Sequence, residues 1–205
     1  FRWAEGRGII ESNPARGVQS PHKVQDRDRV LSDEEIRVLW EATGRIGYPF
    51  GYLVRILLTT AQRQGEASQM RWDDLDGWLW TIAENKSNRP HEVPLPPLAR
   101  MVLEDCPDFE PYVFAGRTGD RPFNGFSKAK ARLDRVNAEV AAEWGAEGVF
   151  TQPWRLHDLR RTAATGMAKI GIAPHITEMV LNHSSGQVSG VAAVYNRYAY
   201  TEEKG

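Results

Sequence analysis

Cysteine is nearly absent from this sequence, which contains Cys106 and no second thiol among its 205 residues. A single cysteine excludes an internal disulfide and is typical of proteins in a reducing cytosol. The sequence also lacks an apolar run of about eighteen residues and a signal peptide, so we expect no membrane-spanning segment. Its five histidines are scattered without the spacing of metal ligands. These absences predict a cytoplasmic protein that binds no metal.

An excess of positive charge is missing as well. The chain has 26 Lys and Arg residues against 27 Asp and Glu residues, for a net charge of −1. This balance argues mildly against a nucleic-acid partner, yet recognition requires a basic face and not a basic average. Basic residues outnumber acidic ones between Arg117 and Arg135, whereas acidic residues cluster elsewhere. Composition therefore leaves a nucleic-acid partner open.

The first 26 residues differ in pattern from the rest of the chain. Asn13-Pro14 breaks any preceding helix, and the stretch from Gly17 to Pro21 has the composition of a linker. The chain also begins without Met, which fits an excised piece of a longer protein. We expect residues 1–26 to be the remnant of another domain plus a linker, and residues 27–205 to form the main domain. Ser32 and Glu35 provide a capping box for its first helix.

Apolar periodicity predicts that this domain is mostly helical. Helices are expected over residues 32–44, 48–60, 97–105 and 157–171 and from residue 124 onwards. Two short β-favouring runs at residues 78–83 and 91–95, joined by residues 85–90, predict a hairpin or small sheet. Residues 112–115 are expected to add a short strand or an extended link. The fold class is therefore α+β, mainly α, with a small antiparallel sheet.

The predicted helix over residues 157–171 would place polar groups beside an apolar stripe. That stripe comprises Leu159, Ala163, Met167 and Ile170, and at about 100° per residue Arg160 lies at its margin. His157 lies about 60° further round, so both polar side chains could face a cleft. Further along, Asn182 tolerates the left-handed conformation that ends a helix.

Four segments carry residues suited to chemistry on a phosphodiester. They are Thr60-Ala61-Gln62-Arg63-Gln64-Gly65-Glu66, Arg155-Leu156-His157-Asp158-Leu159-Arg160-Arg161-Thr162, Leu181-Asn182-His183 and Val194-Tyr195-Asn196-Arg197-Tyr198. Displacement at phosphorus concentrates negative charge on the non-bridging oxygens. Guanidinium groups match those oxygens with paired donors and keep their charge. Arg63 and Arg160 are the expected pair.

A tyrosine nucleophile needs assistance, because a phenol with a pKa near 10 is only about 0.1% ionised at pH 7. It requires a base or positive charge nearby, and the leaving alkoxide requires a proton. His157 and His183 supply imidazoles, and Lys86 on the predicted hairpin could reach in as a general acid. Taken singly, each of these residues also has an ordinary structural explanation. We interpret two further histidines, His91 and His175, as surface residues.

Taken together and in order, these residues resemble the catalytic domain of the tyrosine recombinases, the phage integrase family, over about residues 27–204. The matching set is Arg63, Lys86, His157, Arg160, His183 and Tyr195. The resemblance implies the fold of DNA breaking–rejoining enzymes. It also implies an enzyme that cuts DNA through a 3′-phosphotyrosine, without metal, nucleotide or other cofactor, and rejoins it to a partner strand.

The same resemblance implies a role for each residue. Arg63 and Arg160 would hold the scissile phosphate, with His157 and His183 beside it. Lys86 would protonate the leaving 5′ oxygen while Tyr195 attacks. Glu66 would orient Arg63 without touching the DNA.

Two positions depart from the family pattern. Asn182 stands where the family commonly has glycine, and asparagine tolerates the same backbone conformation. Ala192 stands at the usual distance of the tyrosine from His183, so Tyr195 lies three residues further on. An inserted turn near residues 184–190 would absorb the difference. Tyr198 and Tyr200 remain alternative nucleophiles.

The resemblance also implies partners and a place in the cell. We expect double-stranded DNA as the substrate, a homo-tetramer on DNA for the full-length protein, a fragment that is monomeric, and accessory directionality or DNA-bending proteins. Residues 1–26 would be the tail of the family's N-terminal core-binding domain. The protein would be cytoplasmic and nucleoid-associated. Two other hypotheses are a type IB topoisomerase that relaxes supercoils and a catalytically silent DNA-binding module.

Overall fold

A computed structural model of the chain describes residues 1–18, 27–83 and 90–183. Within these ranges the protein is mainly helical with a small antiparallel sheet, which confirms the predicted fold class. The helices are α1 (Arg2–Gly6), α2 (Asp33–Ile46), α3 (Phe50–Thr60), α4 (Gln64–Ala67), α5 (Pro97–Glu104), α6 (Phe126–Glu143), α7 (Leu156–Lys169) and α8 (Pro174–Val180). The strands are β1 (Leu75–Asp76), β2 (Leu79–Ile82) and β3 (His91–Pro94). None of the helices described in these ranges is long and apolar enough to cross a membrane.

Helix α2 begins at the predicted capping box. The Ser32 hydroxyl accepts a hydrogen bond from the Glu35 amide at 3.1 Å, and the Glu35 carboxylate accepts one from the Ser32 amide at 2.7 Å. The prediction that Gly44 ends the helix is wrong. The helix continues to Ile46, and the amide of Gly47, at a φ of 70°, caps it by donating to the Thr43 carbonyl.

The hydrophobic core is built around α3, which is apolar on most of its faces. Leu53, Val54, Ile56 and Leu57 of this helix are all buried. Helices α2, α5 and α7 pack against it, and α6 packs against α2. A helix that is apolar nearly all round belongs in the interior. Because α3 is central, the position of its C-terminal residue, Thr60, is fixed by the whole core.

The sheet lies beside this core in the order β1-β2-β3. In the antiparallel pair of β2 and β3, Leu79 is opposite Pro94 and Ile82 is opposite His91. The interpretation of His91 as a surface residue is wrong, because only 7% of it is exposed. Side chains alternate along a strand, so His91 shares the inward face with buried Val93. His175, by contrast, is exposed as expected.

The packing of α3 against α2 depends on a glycine. A Cβ atom added to Gly51 would lie 2.1 Å from the Thr43 carbonyl oxygen, which is backbone and part of the α2 cap. We expect Gly51→Ala to lower the free energy of unfolding by about 3 kcal/mol, because the helices must move apart. Gly166→Ala in α7 is the matched control, since an added Cβ meets nothing within 4 Å there. It should stabilise the protein by about 0.5–1 kcal/mol. Urea unfolding of both variants measures the two changes in the free energy of unfolding. Equal changes would contradict the close approach of α3 to α2 at Gly51.

Candidate active site

Arg63 follows directly on the end of the central helix. Ala61 adopts a left-handed conformation with a φ of 58°, which stops α3 and turns the chain. Arg63 then precedes the short helix α4, whose Glu66 points back toward it. The Glu66 carboxylate accepts hydrogen bonds from the Arg63 amide at 3.2 Å and from its Nη1 at 2.8 Å. Glu66 therefore holds both the backbone and the guanidinium of Arg63.

Arg160 approaches the same turn from α7. Only 4% of this residue is exposed. Its Nη1 donates to the Ala61 carbonyl at 2.7 Å, and its Nη2 donates to the Leu181 carbonyl. Burial lowers the pKa of the guanidinium to about 10, with a further contribution from the positive charge of Arg63. Arg160 nevertheless remains charged at neutral pH.

The two arginines meet at the turn that follows α8. Arg63 Nη2 donates to the Asn182 carbonyl at 3.3 Å, next to the Leu181 carbonyl that Arg160 holds. Asn182 has a φ of 48°, so the predicted left-handed conformation is present. The last carbonyls of a helix have no partner within it and carry partial negative charge, so cations are favoured there. The structure thus brings Arg63, Glu66 and Arg160 together.

The two histidines flank this arginine pair. His183 lies just past α8, with its amide donating to the Glu178 carbonyl and its Nδ1 lying 3.1 Å from the Glu178 carboxylate. His157 is exposed in the first turn of α7. Partial desolvation of the ring lowers its pKa, and the positive charges of Arg161, Arg160 and Arg63 lower this pKa further, against the raising effect of Asp158. His157 therefore lies in the electrostatic field of both candidate arginines.

The lowered pKa of His157 has a measurable consequence. Because it lies below the ordinary 6.5, the ring is neutral at pH 7 and gains charge only as the pH falls through that lower value. The unfolded chain binds this proton first, so stability declines as the pH falls from about 6.5 to the folded pKa. An NMR titration of the ring, assigned with His157→Gln, should give a midpoint below 6.5. Arg161→Gln should raise that midpoint. A wild-type midpoint above 6.5 would contradict the assigned surroundings.

Asp158 holds the first turn of α7 in place, between the candidate residues His157 and Arg160. Its carboxylate is buried and accepts hydrogen bonds from Arg27, from Arg161 at 2.9 Å and from the Arg155 amide at 2.8 Å. Burial alone would raise the pKa of Asp158, but these donors, Arg27 foremost, lower it overall. The carboxylate therefore stays ionised and holds the start of α7 in place.

Two polar residues at this site were missed by the sequence reasoning. Gln62, 2% exposed, donates from Nε2 to the carbonyls of Thr60 and Val180. His91 places its Nε2 3.2 Å from the same Val180 carbonyl. The alternation of side chains along β3 is the sequence signal that would have predicted the burial of His91. The corresponding signal for Gln62 is its position between a buried helix and Arg63, which would have predicted that its side chain lies at the site.

Lys86, Tyr195, Tyr198 and Tyr200 lie outside the residues that the structure describes. In residues 1–18, 27–83 and 90–183, no group of three or more His, Cys, Asp or Glu side chains is arranged to hold a metal ion.

Comparison with known proteins identifies related sequences. The profile of the phage integrase family matches residues 29–202. The chain is 27% identical over 215 residues to the prophage integrase IntA of Escherichia coli (strain K12), which covers 98% of this chain and 48% of that protein. It is 27% identical over 167 residues to the shufflon-specific DNA recombinase of Escherichia coli, covering 80% of this chain and 39% of that protein. The chain thus spans less than half the length of these curated relatives.

Solved structures show the same fold. A lambda integrase tetramer bound to a Holliday junction superposes with a TM-score of 0.63 at 17% identity, covering 93% of this chain and 56% of that one. The XerA recombinase gives a TM-score of 0.60 at 19% identity, covering 91% of this chain and 68% of that one. At such low identities the likeness is one of fold.

Proposed function

Because this chain belongs to the phage integrase family, we propose that it is the catalytic domain of a site-specific DNA recombinase or integrase. It would cleave and rejoin double-stranded DNA through a 3′-phosphotyrosyl intermediate. The observation that carries this proposal is the meeting of Arg63 and Arg160 on adjacent carbonyls of one turn. Such a pair of guanidiniums suits a single phosphodiester.

The arginines would stabilise the charge that develops during the reaction. In the proposed site they donate hydrogen bonds to the non-bridging oxygens as the phosphorus becomes five-coordinate, which is electrostatic stabilisation of the transition state. The side chain of Arg63 is 26% exposed, so we assign it the more accessible donors. Arg160, nearly buried, would form the floor of the site. Glu66 would orient Arg63 through the bonds described above.

Proton transfer would be divided among the other residues. The Tyr195 oxygen would attack phosphorus and form the phosphotyrosine, while the bond to the 5′ oxygen breaks. We assign the proton for that leaving oxygen to Lys86. His157 and His183 lie beside the arginines and would accept the tyrosine proton or bind the phosphate; the neutral state of His157 suits it to accept.

The rest of the assembly is proposed from the relatives. We propose duplex DNA as the partner and a tetramer as the active assembly of the full-length protein; a solved lambda integrase is a tetramer on a Holliday junction. Residues 1–26 would be the end of a core-binding domain and its linker; none of the described residues 1–18 is buried. We place the protein in the cytoplasm at the nucleoid, with accessory directionality or DNA-bending proteins as further partners.

A suicide substrate tests the proposal directly. A duplex carrying a nick near the cleavage position loses its short 5′-hydroxyl fragment after attack, so the covalent protein–DNA complex accumulates. Candidate duplexes are drawn from the genomic DNA on both sides of the gene that encodes this chain. We expect a covalent complex whose DNA-linked peptide contains Tyr195. Failure to form the complex despite DNA binding would favour a catalytically silent binding module. Relaxation of supercoils without strand exchange would favour a type IB topoisomerase.

A further inference from the structure

The last carbonyl of α8 and the two carbonyls that follow it are held by side chains from other parts of the fold. Arg160 donates to the Leu181 carbonyl and Arg63 to the Asn182 carbonyl. The preceding carbonyl, that of Val180, receives Gln62 Nε2 at 2.8 Å and lies 3.2 Å from His91 Nε2. We call the contacts of Gln62 and His91 with the Val180 carbonyl the Val180 clamp.

The Val180 clamp joins three parts of the candidate site. Gln62 belongs to the turn between α3 and α4, immediately before Arg63. His91 is the first residue of β3, five residues after Lys86 in the sequence. Val180 ends α8, three residues before His183. A single carbonyl oxygen at the end of α8 therefore contacts both the residue that precedes Arg63 and the first residue of β3.

The geometry defines what each side chain contributes. Gln62 Nε2 also donates to the Thr60 carbonyl at 2.9 Å, so both of its amide hydrogens are engaged and the orientation of the amide is set. A carbonyl only accepts, so His91 must carry a proton on Nε2 to donate to it. Both residues are at least nine-tenths buried. In such surroundings each hydrogen bond is strongly directional, and water does not readily replace it.

We propose that Gln62 and His91 are positioning residues for DNA cleavage, an inference that rests on the function proposed above. They touch neither DNA nor the reacting atoms. They fix the turn at residues 181–183, on which both arginines and His183 depend. Loss of the Val180 clamp would leave the DNA-binding groups present but misaligned, and small displacements of catalytic groups reduce rates strongly. The effect should therefore appear in the rate of cleavage and not in DNA affinity.

Shape-matched variants test this role. Gln62→Met and His91→Phe remove the donors while keeping apolar bulk, and we expect each to lower the single-turnover cleavage rate on the suicide duplex about tenfold. The dissociation constant for an uncleavable duplex should change by less than twofold. His91→Gln, which restores an Nε2 donor, should recover most of the rate. His175→Gln makes the same exchange at the exposed histidine of α8 and should match the wild type.

The double variant tests whether the two donors act as a unit. Because both bind one oxygen, Gln62→Met combined with His91→Phe should lose well short of the hundredfold product of the single effects. Fully multiplicative losses would contradict a shared clamp. Rates equal to the wild type in both single variants would also overturn the proposal, as would losses accompanied by an equal loss of DNA affinity.

Amide hydrogen exchange keeps this test separate from that of the proposed function. The amides of Leu181, Asn182 and His183 donate to α8 carbonyls, those of Thr177, Met179 and Glu178 respectively. We expect faster exchange at these three amides in the clamp variants, with the rest of the chain unchanged. This measurement needs no catalysis. A wild-type protein that never forms a covalent link to DNA would contradict the proposed function. Unchanged amide exchange in the clamp variants would contradict the role of the Val180 clamp.

Discussion

Arg160→Ala should lower the rate of covalent complex formation by roughly two to three orders of magnitude. The guanidinium of Arg160 is nearly buried and donates to the Ala61 and Leu181 carbonyls. It lies close enough to Arg63 that the positive charge of Arg63 contributes to the lowered pKa of Arg160. Alanine removes the proposed phosphate donor and also leaves two backbone oxygens without their partner. Single-turnover cleavage of the suicide duplex, measured per folded molecule, gives the size of the effect.

Two further variants separate catalysis from folding. Arg55 is another partly buried arginine, which donates to the Thr43 hydroxyl and the Trp40 carbonyl and stacks on the Trp40 ring. Arg55→Ala should therefore cost comparable stability but leave the rate per folded molecule close to that of the wild type. Arg160→Lys keeps the charge but replaces the planar fork with a single ammonium, so most of the loss should remain. An Arg160→Ala rate within threefold of the wild type would contradict the proposed role.

Tyr195→Phe should abolish the covalent complex altogether, because phenylalanine has no oxygen to attack phosphorus. The change removes one hydroxyl and preserves the ring, so DNA binding should remain within about twofold of the wild type. Gel electrophoresis under denaturing conditions detects the complex as a slower protein band. Tyr198→Phe and Tyr200→Phe, which make the same exchange at neighbouring tyrosines, should both still form it.

The three phenylalanine variants together identify the nucleophile. Loss of the complex in Tyr198→Phe or Tyr200→Phe, with Tyr195→Phe still active, would transfer the role to that tyrosine. Such a result would leave the arginine site as proposed, because its geometry does not depend on which oxygen attacks. Covalent linkage in all three variants would refute a tyrosine nucleophile among them.

Local patterns were sufficient to predict most of the fold. The capping box of Ser32 and Glu35 starts α2 as expected, and the paired β-favouring runs form β2 and β3. These features depend on residues close in sequence, so a linear reading captures them. Helix ends were less accurate: α2 runs beyond Gly44 because its last turn is capped by Gly47.

The site required information that no local pattern contains. The order of residues in the sequence identified Arg63 and Arg160 as a pair. It did not predict that the two side chains meet at the turn after α8. The predicted apolar stripe of α7 also included Ile170, which is 78% exposed because the helix ends at Lys169. Conversely, Arg160 was placed at the edge of a cleft and lies almost wholly inside. The burial of Arg160 arises from contacts with segments distant in sequence, which override the periodicity of a single helix.

The ion pair between Arg27 and Asp158 joins two parts of the fold that are far apart in sequence. Arg27 is the first described residue after residue 18, and its guanidinium grips the carboxylate that sits between His157 and Arg160 in α7. Arg27 therefore ties the start of residues 27–83 directly to the first turn of α7, the turn that holds two of the proposed site residues.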